Sequence, residues 1–466
     1  MPEDQTDFDV ILVGGANATA LTKFIQHEQD DVNNFWKMAL VTDRGRYIIP
    51  QAYFGVMHHH IAPLELETGT VSSQVDNSSR TDIGARIVKY LPHENKVQLS
   101  NGKEYTYKAL VVASGFNHTK DKIEGLTEME KTPESENFFL HMLDGKERAD
   151  RNYQHGWNHN SGNMICYSPK APYKGEGSDF YALYYESFLR QDQLQGRSGA
   201  NARIQYYTPN KEIFKFPYAN EIALDECFKR GIDVNFGMEM TKVAYNEIGE
   251  KIATFVNVDT GATTEVPFNH ANINPTSLPQ SELVEAGITD SSGLVDVNPY
   301  TLQHSRFENI FAFGDCIAGE TTRTQHAAIA QCPVVKHNLN CFMEGKELNG
   351  IYDGYSYMPF YVSHSNMIPF SHLWDYEPCS TNHWVPTYGL FSRLYFTRMM
   401  SVNFKEGKKY SDFKKNFGPP NWRYAARYDP IESNEYLQSK SVDIEALKSI
   451  HKKDNALPGN GGVVPT

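Results

Sequence analysis

A glycine, a carboxylate and a thiol stand side by side at Gly314-Asp315-Cys316, directly after the short apolar run Asn309-Ile-Phe-Ala-Phe313. That run is too short for a helix and rich in aromatic and β-branched residues, so it reads as a buried strand. Gly314 lets the chain approach a ligand closely, Asp315 is placed to accept hydrogen bonds from the hydroxyls of a sugar-alcohol chain, and Cys316 offers a sulfur centre. By itself a Gly-Asp pair at a strand end reads as a turn, and only its surroundings make it a site. The six cysteines, at 166, 227, 316, 332, 341 and 379, contain no CxxC pair and no regular framework. That pattern argues against a zinc site or a disulfide scaffold and fits a reducing compartment. His58-His59-His60 suggests a metal only superficially, because consecutive side chains point to different faces of any regular element; a solvated loop is expected there.

The elements that must position these groups begin at Asp9-Val-Ile-Leu-Val13, a continuous apolar strand that opens into Gly14-Gly-Ala-Asn-Ala-Thr-Ala20 and a helix-like run. This is the order of a dinucleotide-binding βαβ unit. Read as GxGxxG, however, its positions fall on Gly14, Ala16 and Thr19, with Gly15 between the first two. The second position governs approach of backbone to a pyrophosphate and the third governs helix-strand packing, so Ala16 is tolerable whereas Thr19 is expected to push the helix outward. Lys37-Met-Ala-Leu-Val-Thr-Asp43 reads as a second strand ending in a carboxylate, where Asp43 either holds ribose hydroxyls or simply caps the strand. Lys96 to Tyr107 alternates around Asn101-Gly102, which predicts a two-residue hairpin leading into the strand Ala109-Leu-Val-Val-Ala-Ser-Gly115.

Taken together, the segment 293–331, the stretch around 105–127 and Ile351-Tyr-Asp-Gly-Tyr-Ser-Tyr-Met-Pro-Phe360 resemble the sulfide:quinone oxidoreductases, within the flavin-dependent disulfide-reductase-like group. Within this resemblance Arg323 stands where the family usually has lysine and Glu320 where it has proline. The resemblance implies an α/β fold with two Rossmann-like FAD/NAD(P)-binding domains and a C-terminal cap. It divides the chain into a first FAD-binding segment at 1–145, a second nucleotide-like domain at 146–293, a return to the FAD domain at 294–345, and a cap with a membrane or interface region and a structureless tail at 346–466. The cofactor it implies is FAD, held by Gly14, Gly15, Ala16, Asp43, Pro50 near the flavin edge, Ala113 and Gly115 at the small-residue crossing, Gly314 and Asp315. No metal is expected.

The same resemblance implies two thiols on the substrate face of the flavin, where hydrosulfide attacks a sulfur bridge and electrons pass to the ring. Cys316 is matched to one of them as the catalytic residue. The other follows a Pro-x-x-Pro-x-Lys loop in the family, and here Pro169-Lys-Ala-Pro-Tyr-Lys174 is followed by Gly175. Cys166 lies nine residues upstream in the strand Asn163-Met-Ile-Cys-Tyr167 and reaches the site only through a rearranged loop. Cys316 is therefore either a lone low-pKa thiol or a relic packed beside the cofactor. A nicotinamide-linked reductase is disfavoured, because Ser168 to Asp179 lacks a GxGxxG.

Toward the C-terminus, Met358, Phe360, Tyr361 and Phe370 are candidates for a quinone slot, although aromatic residues in a cap more often form core. The stretch 384–400 mixes large apolar side chains with Arg393 and Arg398, as a helix lying in a membrane interface or a subunit contact would. No run of eighteen apolar residues occurs, so any membrane contact is expected to be peripheral. The start is acidic, with no signal-peptide or transit pattern visible. A net charge of −13, from 44 basic and 57 acidic residues, argues against nucleic acid. Two functions follow. One is a FAD-dependent enzyme passing electrons from a small sulfur species to a quinone, at a mitochondrial membrane by resemblance; the other is a catalytically degenerate flavoprotein kept as a structural or assembly subunit of a larger complex.

Overall fold

A computed structural model describes residues 5–32, 36–48, 67–75, 79–131, 161–173, 201–319, 322–361 and 367–374. The first sheet is built around strand Asp7–Val13, which pairs in parallel with Met38–Thr42 on one side and with Glu104–Val112 on the other. Val10, Ile11 and Leu12 are each 0% exposed. Such burial on both faces is why the strand reads as a continuous apolar run rather than an alternating one. Truncating Leu12 to alanine would cost about 2–5 kcal/mol. Arg80–Ile83 extends the parallel sheet beyond Met38–Thr42. The chain returns to this sheet from far downstream, because Ile310–Ala312 pairs in parallel with Leu110 to Val112. Residues about two hundred positions apart in sequence thus share one sheet edge, which lets Gly314 meet the first glycine turn.

Helix Ala16–Val32 packs on this sheet and against a second helix, Gln325–Met343. The latter starts within the small-residue run read from the sequence, where the Thr324 hydroxyl caps it by accepting from the amide of Ala327 at 3.2 Å. It continues through Pro333 to Met343.

The hairpin differs in detail from its expected form. Strands Lys96–Leu99 and Glu104–Val112 pair antiparallel, but the amide of Leu99 donates to Lys103 O at 2.8 Å and Gly102 alone in the turn has a positive φ, of 84°. A two-residue type I′ turn needs two such residues; one left-handed glycine after a type I turn closes a three-residue loop instead.

A second, four-stranded parallel sheet runs in the order Asp233–Phe236, Asn201–Thr208, Ser161–Tyr167, His270–Ile273. Helix Pro217–Arg230 and a three-stranded antiparallel layer, Met238–Tyr245, Lys251–Asn257 and Thr263–Phe268, accompany it. Two Rossmann-like α/β units therefore carry the chain, each with its own apolar core. Of the C-terminal part, strands Ser356–Tyr361 and Met367–His372 form an antiparallel pair. Phe370 is buried among Phe214 and Phe216, with ring centroids at 6.0 and 6.1 Å, so it is core rather than a slot wall. The side chains of Met358, Phe360 and Tyr361, the stretch 384–400, the tail and His58 to His60 lie outside the described residues. No described helix is long and apolar enough to cross a membrane.

Candidate functional site

Three backbone segments cross at the carboxyl ends of the first sheet's strands: the turn after Asp7–Val13, the end of Glu104–Val112, and the helical turn Gly314–Cys316. Gly14 has a φ of +135°, and a Cβ there would stand 2.3 Å from Ala113 O. Only glycine allows the two segments to approach this closely. The Gly14 amide donates to Val41 O at 3.0 Å and the Ala113 amide to Val13 O at 2.8 Å, so the crossing is tied to the sheet on both sides. Gly314, with φ +81°, faces the first helix: a Cβ there would lie 2.8 Å from the side-chain amide nitrogen of Asn17.

Around these contacts there is room. A Cβ at Gly15 would meet only the Arg44 side chain, at 3.8 Å, and one at Gly115 would meet nothing within 4 Å. Gly14, Gly15, Ala16, Ala113, Gly115, Gly314 and Asp315 therefore converge on one crossing. Asp43 is exposed on the loop after Met38–Thr42, beside the Arg44 that reaches Gly15, while Asp315 is half-buried. Pro50 and Gly175 lie outside the described residues.

Two sequence expectations need correction. Thr19 does not splay the helix: it is 1% exposed, and its hydroxyl folds back to donate to Gly15 O at 2.8 Å, hiding its polarity within the first turn. Cys316 is not a low-pKa thiol facing a ligand. Its side chain belongs to the core of the first unit, is 1% exposed, and approaches Val112 O at 3.6 Å and Phe313 O at 3.5 Å. Burial pushes this thiol up to about 11, against a smaller downward pull from the backbone of Gly115. Cys166 likewise packs in the core of the second unit with Cys227, and burial raises its pKa too. The described cysteines are all unpaired thiols. Among the described residues no group of three or more His, Cys, Asp or Glu is arranged for a metal.

Several site residues escaped the sequence reading. Gln331, 0% exposed, accepts from the Gly314 amide at 2.7 Å, while its own Nε2 has no hydrogen-bond partner. The Ser114 hydroxyl at the crossing is also buried without one. Gln280 donates to Ser114 O at 3.0 Å, pinning the crossing from the second unit's exit. The Arg323 guanidinium lies 5.6 Å from the Phe116 ring centroid. Asn17 and Arg44 sit next to motif positions and differ from them only in carrying longer polar side chains; that adjacency is the one signal available beforehand. Tight backbone at Gly14, open space at Gly15 and Gly115, and buried donors lacking acceptors are what a dinucleotide diphosphate requires, so a FAD-type cofactor fits these residues.

Beside Thr322, a small pocket of about 50 Å³ is lined by Ala171, Tyr173, Asn210, Phe214, Phe216 and their neighbours. Its loop is rigidly held, since Asn210 donates to Pro169 O at 3.0 Å and accepts from the Ala171 amide at 3.1 Å. Behind Thr322 runs a buried chain of hydrogen bonds. His372 Nδ1 faces Leu373 O at 2.8 Å, which a carbonyl permits only if that nitrogen is protonated; Nε2 then accepts from Thr322 at 3.1 Å. Ser356 joins Thr322 to Thr324, the latter at 2.9 Å. Burial lowers the His372 pKa to about 4, so the imidazole is neutral.

No family model matches the chain. The mitochondrial sulfide:quinone oxidoreductase of Schizosaccharomyces pombe is 27% identical over 442 residues, spanning 91% of this chain and 90% of that protein. Among solved structures, a chain of the Tetrahymena thermophila mitochondrial ATP synthase (F1Fo composite tetramer) superposes with a TM-score of 0.78 at 23% identity, covering 90% of this chain and 99% of that one. The sulfide:quinone oxidoreductase of Aquifex aeolicus superposes with a TM-score of 0.65 at 14% identity, over 88% and 94%. Similarity to the sulfide:quinone oxidoreductases thus runs along nearly the whole length of the chain, which has the same pair of Rossmann-like units.

Proposed function

We propose that this chain is a FAD-dependent oxidoreductase of the sulfide:quinone type, taking electrons from a small sulfur species and delivering them to a quinone, peripherally at a mitochondrial membrane, its similar proteins being mitochondrial by name. The observation that carries the cofactor in this reading is the crossing at Gly14, Ala113 and Gly314, closed at Gly14 and open at Gly15 and Gly115. When bound there, FAD supplies reversible two-electron acceptance. The helix Ala16–Val32 would offer its amide end to the diphosphate, while Asp43 and Asp315 would accept hydrogen bonds from sugar hydroxyls. The pocket at Thr322 has room for a substrate of few atoms such as hydrosulfide, and none of its described lining residues is a thiol.

Purified protein should absorb as an oxidised flavoprotein and bleach when hydrosulfide is added without oxygen. A flavin spectrum that hydrosulfide leaves unchanged would remove the sulfur chemistry, and absence of flavin would remove the cofactor.

A second reading, a flavoprotein fold retained as a structural subunit, is favoured by one observation. The chain superposes better on the ATP-synthase chain, with a TM-score of 0.78, than on the Aquifex enzyme, at 0.65. Under this reading the native protein migrates with an assembly of several hundred kilodaltons and shows no sulfide-dependent quinone reduction.

A further inference from the structure

We propose that Asn17 and Gln331 form a two-amide clamp on the cofactor's diphosphate, supplying donors that the degenerate phosphate turn does not obtain from glycines at positions 16 and 19. This rests on the flavoprotein reading and assigns residues that the resemblance does not. Asn17 is the second residue of a 17-residue helix with no acidic side chain in its first turn, so nothing there opposes the positive end of the helix. Its amide nitrogen lies 2.8 Å from where Gly314 would carry a Cβ, placing it between the first helix and the Gly314 turn, the gap through which a diphosphate passes.

Gln331 closes the same gap from the opposite helix. Its Oε1 is held by the Gly314 amide at 2.7 Å, which fixes the plane of the side-chain amide and leaves Nε2 beside Gly314. That nitrogen is in a residue 0% exposed and has no acceptor within the protein. A buried donor without an acceptor is unfavourable unless a ligand supplies one. The Ser114 hydroxyl, at the third segment of the crossing, is in the same condition. Two buried polar groups without protein partners, from two segments, thus lie at the crossing that Asn17 borders, and the ligand that satisfies both is an anion with several acceptor oxygens.

Thr19 cannot take this role, because its hydroxyl is committed to Gly15 O.

The test uses the full chain, with Asn17→Asp and Gln331→Glu as near-isosteric variants. Gln331→Glu keeps an oxygen for the Gly314 amide while replacing the donor with a charge that repels phosphate. FAD affinity is read from quenching of flavin fluorescence, and fold integrity from the unfolding midpoint without ligand. Each variant is expected to weaken FAD about ten- to a hundredfold, the loss of one charge-assisted hydrogen bond, with the unliganded midpoint little changed for Asn17→Asp and lowered for Gln331→Glu, whose carboxyl is buried. If the wild type binds FAD and both variants bind it equally well, the clamp is overturned while the flavoprotein reading stands. If the wild type takes up no FAD, that reading fails, and inorganic pyrophosphate tests the clamp alone. A thermal shift by pyrophosphate that both variants abolish supports it; no shift in the wild type overturns it.

Discussion

Replacing Cys316 with alanine separates a core thiol from a catalytic one, and the structure sets the expected size of each effect. A thiol with a pKa of about 11 is ionised at pH 7.5 in about one molecule in three thousand. An ordinary exposed thiol is ionised in about one in ten. Ionisation alone therefore slows reaction with a thiol reagent by about two orders of magnitude, and burial within the core of the first unit slows it further. Native protein treated with an aromatic disulfide reagent should leave Cys316 unmodified until it unfolds, as mapped by peptide mass. Cys316→Ala should remove a small buried volume at a cost of about 1–2 kcal/mol, visible as a modest drop in unfolding midpoint. Flavin content and any hydrosulfide-driven bleaching should persist. Rapid labelling of Cys316 in the native protein, or loss of bleaching in a Cys316→Ala variant that keeps its flavin, would refute this reasoning.

Three further outcomes follow from local geometry. Gly14→Ala forces a side chain 2.3 Å from Ala113 O at a left-handed φ, so it should cost at least about 2 kcal/mol and release cofactor; an unchanged denaturation midpoint contradicts the crossing as described. The folded state binds a proton at His372 less readily than the unfolded chain, so this contribution to stability is full above about pH 6.5 and is lost as pH falls toward about 4. The loss is about 3 kcal/mol at most, and the unfolding midpoint of His372→Gln should fall less steeply over that range than the wild type's. Asn210→Ala removes the bonds to Pro169 O and the Ala171 amide, so the loop beside the pocket should exchange its amide hydrogens faster, with a cost of about 1–3 kcal/mol.

Apolar periodicity revealed the parallel strands because their burial on both faces leaves a continuous hydrophobic run, as at Val10 to Val13. The return strand at 310–312 was readable for the same reason, although its partner lies about two hundred residues earlier. Side-chain direction was much less readable. Cys316 follows an aspartate at a strand end in a motif associated with redox sulfur, yet a 3₁₀ turn rotates it inward, and no one-dimensional pattern reports that rotation. Thr19 misled in the opposite sense: volume predicted a displaced helix, whereas back-bonding to Gly15 O accommodates the hydroxyl within the turn. Gln331 was visible as the end of a small-residue run, but its use required knowing which backbone amide its oxygen would meet.

That contrast bears on what retention of a motif means. Gly14 and Ala113 hold the first sheet together whether or not a ligand is present, because their contacts are backbone against backbone, and Gly314 is packed against the Asn17 and Gln331 side chains. Cys316 fills space in the same core. Selection for folding alone would therefore preserve all four, and their presence does not discriminate an enzyme from a structural relative. Nε2 of Gln331 and the Ser114 hydroxyl do discriminate, since each is buried without a protein partner and a fold kept only for shape gains stability by replacing them with apolar groups of similar size. Their polarity is explained by a ligand at the crossing, and Ser114→Ala, which leaves the bond between Gln331 and the Gly314 amide in place, offers the corresponding measurement. If the crossing binds an anion, Ser114→Ala should weaken FAD while its unliganded form becomes no less stable; if it binds none, FAD affinity should be unchanged.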